Sequence, residues 1–342
     1  MQLTAENAVA VADSYGLLSG PTSPTVSDLS AGGVSNAVFK LESDSDCLVL
    51  KQPLAKLRVQ TEWRIDRVRI FREAEGMRLW KQLVARDAVP IVHFVDKANY
   101  ILAMSCAPPG HRNWKRQLLT RRLEPTAARA LGVMLADWQR AGRGDAELPL
   151  RLPANDTFVQ GRLDPYLGAR LQSRQPALAP ALATLSAELL ANRLCLVHGD
   201  YSPKNVLVGE TGSVCLLDFE ICHFGHPAFD PAFMLTHLLL KSQHLPQAAS
   251  AFTDLAALFW DSYRCRLGGW LMPDQESITV RCLGGLLLAR VDGKSPAEYL
   301  TDHAARRRVL DLGRRLLCDA SGTVGSACRQ AVRCARESSP RS

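Results

Sequence analysis

LCLVHGDYSPKNVLVGETGSVCLLDFE, running from Leu194 to Glu220, is the stretch that decides how this chain is read. Short apolar runs alternate in it with polar, Gly-containing breaks, so it reads as strand, loop, strand, turn, strand. Asp200 and Asn205 are five positions apart, and Asp218 lies thirteen beyond Asn205. The runs VLV and VCLLDF are short enough to fold back on one another. A carboxylate, an amide and a second carboxylate are thereby expected to cluster around one small hairpin.

Working outward, the flanks differ in kind. Upstream, AVFKLE and CLVLKQ have strand composition and are separated by the acidic turn SDSD. A helix is expected over 66–86, with Ile70, Ala74, Met77 and Val84 near one face. VPIVHFVD and YILAMS are two further strand candidates, joined by a turn at Lys97–Asn99. After Pro108-Pro109-Gly110 long helical patterns take over, roughly at 113–123, 125–141, 177–192, 228–244, 248–268, 275–290 and 302–318. The expected class is α+β: a β-rich N-terminal lobe over 1–107 and a mainly helical C-terminal lobe over 108–342, with the seam near Ala107–Gly110.

The residue types at the hairpin suit phosphoryl transfer. An Asp orients the attacking hydroxyl and accepts its proton, and a carboxylate with an amide oxygen holds Mg²⁺ against the phosphates. Mg²⁺ is a hard cation that prefers oxygen donors, which Asn205 and Asp218 offer. Glu220, two after Asp218, projects to the same side of an extended segment, as a further metal ligand or as a salt-bridge partner. Upstream, the loop Ser30-Ala31-Gly32-Gly33-Val34-Ser35-Asn36 has the small residues that let backbone N–H groups approach phosphate, although a plain hairpin turn explains it equally well.

This spacing matches the catalytic-loop and metal-loop signatures of protein kinases. The wording HGDYSPKN resembles the aminoglycoside phosphotransferase and choline kinase superfamily, whose members share the kinase fold and phosphorylate small molecules. The stretches Arg162-Leu163-Asp164-Pro165-Tyr166, Gly225-His226-Pro227-Ala228-Phe229-Asp230 and Leu288 to Pro296 add to the likeness, which covers roughly residues 26–300. It implies a bilobal protein-kinase-like fold that uses ATP and Mg²⁺, with Asp200 as the catalytic acceptor of the hydroxyl proton. By the same resemblance Lys51 grips the α- and β-phosphates, with a strand-end surface Lys as the alternative. Glu73 orients Lys51, with Glu75 and Glu62 as competitors. Gly32, Gly33, Ser35 and Asn36 approach the nucleotide. Ser105 and Ala107, in the Ala103–Ala107 segment, meet the adenine edge at the hinge. His198 is expected to brace the loop.

A narrower likeness is to methylthioribose kinases, carried by Lys51-Gln52, Arg58, Glu62-Trp63, Arg69 and Glu73. That subfamily usually lacks the catalytic-loop Asn and reads Asp-Pro-Glu at the metal loop. Asn205 and Asp218-Phe219-Glu220 depart from it, so the likeness carries fold and reaction and leaves that substrate open. The implied partner is a small hydroxylated molecule: a sugar, an amino alcohol or an aminoglycoside. A non-catalytic ATP-binding protein and a protein kinase are the alternatives; no A-P-E closes an activation segment after Glu220.

Composition narrows the classes further. No apolar run approaches the roughly 20 residues of a bilayer span, and MQLTAENAVAVADSYG has no basic n-region, so a cytoplasmic protein without membrane partners is expected. The net charge is +7, but residues 301–342 hold nine Arg against four acids. The excess therefore reads as a solvated basic end, not as a nucleic-acid surface. None of the ten cysteines forms C-x-x-C. Several, such as Cys195 and Cys215, lie in apolar runs and are expected as buried free thiols. Cys222, His223 and His226 have no spacing that argues for zinc. Asp230 is expected to cap the following helix. Arg290 and Lys294 are expected to meet either helix-end carbonyls or an anionic part of the substrate.

Overall fold

Alternating apolar residues in the first hundred positions fold into one antiparallel sheet. A computed structural model describes residues 1–30, 35–54, 65–84, 87–152, 156–319 and 321–336. Its strands are β1 (Thr25–Asp28), β2 (Asn36–Glu42), β3 (Cys47–Pro53), β4 (Val92–Asp96) and β5 (Ile101–Ser105), in the order β1-β2-β3-β5-β4. In β3 the register sets Lys51 opposite Val38 of β2 and Leu102 of β5. Phe39, Leu41, Leu48 and Leu50 pack with Val11 and Ala12 of helix α1 (Ala8–Ser14). Helix α2 (Arg69–Leu83) is shorter at both ends than its apolar periodicity suggested.

The chain divides into two units. The first comprises Met1–Pro109 together with Cys215–Cys222, and the second comprises Gly110–Val214 and His223–Ser342. The excursion of 215–222 departs from a boundary drawn at 107 alone. Its cause is packing. The Leu216 N–H donates to the Ala88 carbonyl at 2.7 Å, and Phe219 meets Trp80 of α2 edge-on, 6.0 Å between centroids. Gly76 permits this approach, since a Cβ there would stand 3.1 Å from the Phe219 ring and from Cys222 Sγ.

In the second unit the long helices span Pro125–Ala141, Ala179–Ala191, Phe229–His244, Ala249–Leu267, Gln275–Asp292, His303–Cys318 and Val324–Arg336. Phe229–His244 is buried on all sides through Gln243, as its near-continuous apolar sequence requires. The two-stranded pair Cys195–Val197 with His223–Gly225 frames the start of the Asp200 loop. None of the helices among the described residues is long and apolar enough to cross a membrane.

Two expectations need correction. The Arg-rich end is not simply solvated: Val324–Arg336 is an amphipathic helix that buries Val324, Ala327, Ala331 and Ala335. The small apolar residues recur at helical spacing, and the arginines occupy the remaining positions. Cys47 and Cys106 are not thiols but a disulfide, with Cα atoms 5.7 Å apart. Leu48 pairs with Ser105 across β3 and β5, so the next residues outward on the two strands face each other. Cys195 and Cys215 are buried and free, as their apolar settings imply.

Candidate active site

The first unit gathers its charged residues around one lysine. Lys51, 5% exposed, lies within β3 two residues before its end, and its Nζ lies 2.7 Å from Glu73 Oε2 and 2.5 Å from Asp218 Oδ1. Glu73 comes from α2 on the face that carries Ile70 and Met77, which explains how a carboxylate reaches the sheet. Burial by itself lowers the pKa of Lys51, but Asp218 and then Glu73 outweigh it and hold the pKa above its ordinary value. Burial raises Glu73, opposed by the Lys51 ammonium. Asp218 adopts φ +71°, a left-handed conformation uncommon for a residue with a side chain. Such strain recurs at functional sites.

Glu220 completes this group. Its Oε2 accepts from Asn36 Nδ2 at 3.1 Å and from Arg69 Nε at 3.2 Å. Arg69 is fully buried and also donates to the carbonyls of Ser35 and Ile65, both at 2.7 Å. Glu220 is thus a salt-bridge partner, and Asn36 meets it through its side chain. Glu73, Asp218 and Glu220 each offer a carboxylate oxygen within 4.8 Å of the others, an all-oxygen set of the kind Mg²⁺ accepts.

Elsewhere in the first unit the Ser105 N–H donates to the Ile91 carbonyl at 2.8 Å, and the Ser105 hydroxyl accepts from the Ile91 N–H at 2.9 Å. The Cys106 N–H donates to the Cys47 carbonyl at 3.4 Å. The Ala107 amide has no backbone acceptor among the described residues. Gly32 and Gly33 lie outside the described residues, as do Arg58, Glu62 and Trp63.

The second unit builds a different site on the loop that follows Cys195–Val197. Asp200 is 1% exposed, with Arg162 Nη2 at 2.6 Å and Lys204 Nζ at 2.8 Å from its Oδ2. Arg162 projects from a π-helical turn, Val159–Leu163, and also donates to the Gly199 carbonyl at 2.7 Å. Asn205 Nδ2 donates to the Asp200 carbonyl at 3.0 Å, tying the two residues together. The His198 ring braces the loop by accepting the Asp200 N–H on Nδ1 at 3.1 Å.

Asp230 plays a part its position in the sequence did not suggest. The helix begins at Phe229 with Ala228 as its cap. The Asp230 carboxylate instead accepts the N–H of His198 at 2.7 Å and of Gly199 at 2.9 Å. Gly199 has φ +78°, the turn that lets both amides point at one carboxylate. Burial pushes Asp230 up to about 7, against the pull of those two N–H groups. The lone acid at the head of an apolar helix was the available signal; its partners, some thirty residues upstream, were not.

Of the residues singled out from sequence, the structure brings Lys51, Glu73, Asp218, Glu220 and Asn36 together in the first unit. It brings Asp200, Asn205 and Lys204 together in the second. Arg69 and Arg162 entered only through family likeness.

The model of the phosphotransferase enzyme family matches residues 28–264. A methylthioribose kinase of Pectobacterium atrosepticum is 26% identical over 272 residues, which cover 71% of this chain and 67% of that protein. This chain therefore spans about two thirds of the length of the curated relatives it matches. A choline/ethanolamine kinase family protein from Mesorhizobium loti shares the fold at a TM-score of 0.54 and 18% identity, covering 96% of each chain. An ADP-bound aminoglycoside phosphotransferase does so at a TM-score of 0.51 and 16% identity, covering 92% of this chain and 97% of that one. The fold is that of the protein-kinase-like small-molecule kinases, and with the family model covering most of its length the chain belongs to the phosphotransferase enzyme family.

Proposed function

We propose that the protein transfers the γ-phosphate of ATP to a hydroxyl of a small molecule. The observation that carries this reading is the buried Lys51, paired at once with Glu73 and Asp218. An ion cluster this dehydrated is costly to build, and a strand-end lysine on the surface needs none of it. Supporting it are the family membership, the kinases among the relatives and the ADP in one structural neighbour.

In this reading Lys51, oriented by Glu73, holds the α- and β-phosphates. Asn36 and Ser35 face the phosphates in this reading. Ala107, whose N–H has no backbone acceptor among the described residues, meets the adenine edge beside Ser105. Asp218 and Asn205 hold Mg²⁺ with Glu220 assisting, and the donor set fits, being oxygen throughout. Asn205 Nδ2 is already committed to the Asp200 carbonyl, which fixes the amide with its Oδ1 as the remaining donor atom. Bound Mg²⁺ supplies charge neutralisation at the phosphates. Asp200 receives the proton of the attacking hydroxyl. Two cations on its Oδ2 hold the carboxylate in place, so its work is chiefly to orient the nucleophile. Lys204 and Arg162 offset negative charge beside it.

ADP release measured across sugars, sugar acids, amino alcohols and aminoglycosides, with methylthioribose included, tests the reading. Asp200→Ala is expected to lower turnover by roughly 10²–10⁴-fold with nucleotide binding retained. Unchanged turnover in a pure preparation sinks the assignment of Asp200.

A further inference from the structure

In the second unit two lysines converge on one aromatic ring, and a buried arginine acts on the same tyrosine. Lys241, on the Phe229–His244 helix, is fully buried and donates to the His237 carbonyl at 3.0 Å. Its Nζ lies 5.4 Å from the centre of the Tyr299 ring, and Lys115 Nζ lies 6.0 Å from the same ring. Lys115 is paired with Glu298. Arg290 is 8% exposed and spends its Nη1 on the Ser295 carbonyl at 2.5 Å and the Ser295 hydroxyl at 3.0 Å. The buried Arg290 Nε has no partner among the described residues, and neither has the buried Tyr299 hydroxyl. No described carboxylate forms an ion pair with Lys241 or Arg290.

Two cations are therefore shut away from water with no ion pair of their own among the described residues, next to two orphaned donors; Glu298 acts on both, but it is paired with Lys115. A buried charge with no partner costs several kcal/mol, and burial tolerates it only when something else returns the loss. Burial and the positive neighbours Lys115 and Arg290 push Lys241 down to about 7. The cluster stands one ring away from the Asp200 loop. Arg290 reaches the Tyr166 hydroxyl at 3.4 Å, and the Arg162 guanidinium, which pairs with Asp200, lies 5.9 Å from the centre of the Tyr166 ring.

We infer that this cluster is an anion subsite for the phosphoryl acceptor, so that the acceptor is a hydroxylated molecule bearing a carboxylate or phosphate group. Arg290 Nε, the Tyr299 hydroxyl and Lys241 Nζ are the donors that meet the anion. Lys115 and Lys204, with side chains 26% and 48% exposed, stand at its outer edge. The inference rests on the phosphotransferase reading for the word acceptor, and it runs against a polycationic aminoglycoside. Such a molecule would bring positive charge to a region where cations already outnumber acids.

The test uses the full chain and two measurements. Calorimetric titration with inorganic phosphate and with glycerate, at constant ionic strength against chloride, is expected to show binding. Lys241→Met and Arg290→Gln are each expected to weaken it about tenfold, the equivalent of one charge-assisted hydrogen bond. ATP binding is expected to stay within about twofold of wild type. Lys241→Met is near-isosteric and keeps the test valid if Arg290→Gln folds poorly. Phosphate and glycerate binding no better than chloride overturns the subsite, as does undiminished binding by folded Lys241→Met. The second measurement compares ATP consumption with glycerol, glycerate, glycerol 3-phosphate and ethanolamine, which present similar hydroxyls and different charge. Preference for the two anions supports the subsite. Preference for glycerol or ethanolamine overturns it and leaves the phosphotransferase reading standing. Variant-sensitive anion binding in a protein that binds no ATP does the reverse.

Discussion

Lys51 and Lys241 are both closed off from water, yet their surroundings are opposite. Lys51 is flanked by two carboxylates at ion-pair distance, and its pKa is held above the ordinary lysine value. Lys241 has a backbone carbonyl, an aromatic ring, two further cations and, more weakly, Glu298 acting on it, and its pKa falls to about 7. The first is a self-compensated cluster in which each charge justifies the others. The second is a charge deficit inside the protein. The contrast teaches that burial of a lysine carries no function by itself; the sign of what surrounds it separates a device that holds its own residues in place from one built to receive something.

The sharpest way to break the comparison is to remove each ammonium. Lys51→Met leaves the buried Glu73 and the part-buried Asp218 facing each other, so it is expected to cost about 3–5 kcal/mol in denaturant titration. Wild-type stability in that variant would mean the cluster is not mutually supporting. Asp230→Ala, which strands two N–H groups of the Asp200 loop, is expected to cost about 2–4 kcal/mol. Asp230→Asn, which keeps an acceptor, should recover part of it, and an equal loss for both would count against the hydrogen-bond account. Lys241→Met carries the opposite sign: melting is expected to rise by roughly 2–4 °C, because an uncompensated charge is replaced by apolar volume. A fall in melting temperature would argue that Lys241 has a counter-charge after all.

The smallest effect is in pH. Lys241 has a folded pKa of about 7 against an ordinary 10.5. Between those values the unfolded chain binds the extra proton, so its contribution to stability improves as pH rises through that window. Lys115, Arg290 and Glu298 are the charged groups that act on it. The stability advantage of Lys241→Met is accordingly expected to narrow between about pH 7 and pH 10. A gap that stays constant across paired denaturation curves removes the titration from the account.

Much of the compensated cluster was legible residue by residue. Lys51 lies near the end of a strand, Glu73 sits on the apolar-flanked face of the next helix, and Asp218 follows an apolar run that had to pack somewhere. Local periodicity reveals such placements because each depends on a few neighbouring positions. Asp200, Asn205 and Lys204 likewise share one loop, and the structure joins them. Asn36 shows the limit. Its loop suggested a backbone contact to phosphate, whereas its side chain bonds Glu220, which is 184 positions away. Lys241 drew no notice at all, being one basic residue at the end of an apolar helical run. The Cys47–Cys106 pairing depended on which strands are neighbours, and spacing along the chain does not encode that.

From the amino-acid order came the two-part α+β plan and the grouping of Asp200 with Asn205 on one loop, both set by short-range pattern, while the pairing of Lys51 with Glu73 came through family resemblance. Tertiary structure alone decided that residues 215–222 pack with the first unit, that Asp230 anchors the Asp200 loop and that Lys241 and Arg290 have no ion pair of their own among the described residues. These depend on where distant side chains meet and how much water is excluded there, and no local period in the sequence records either quantity.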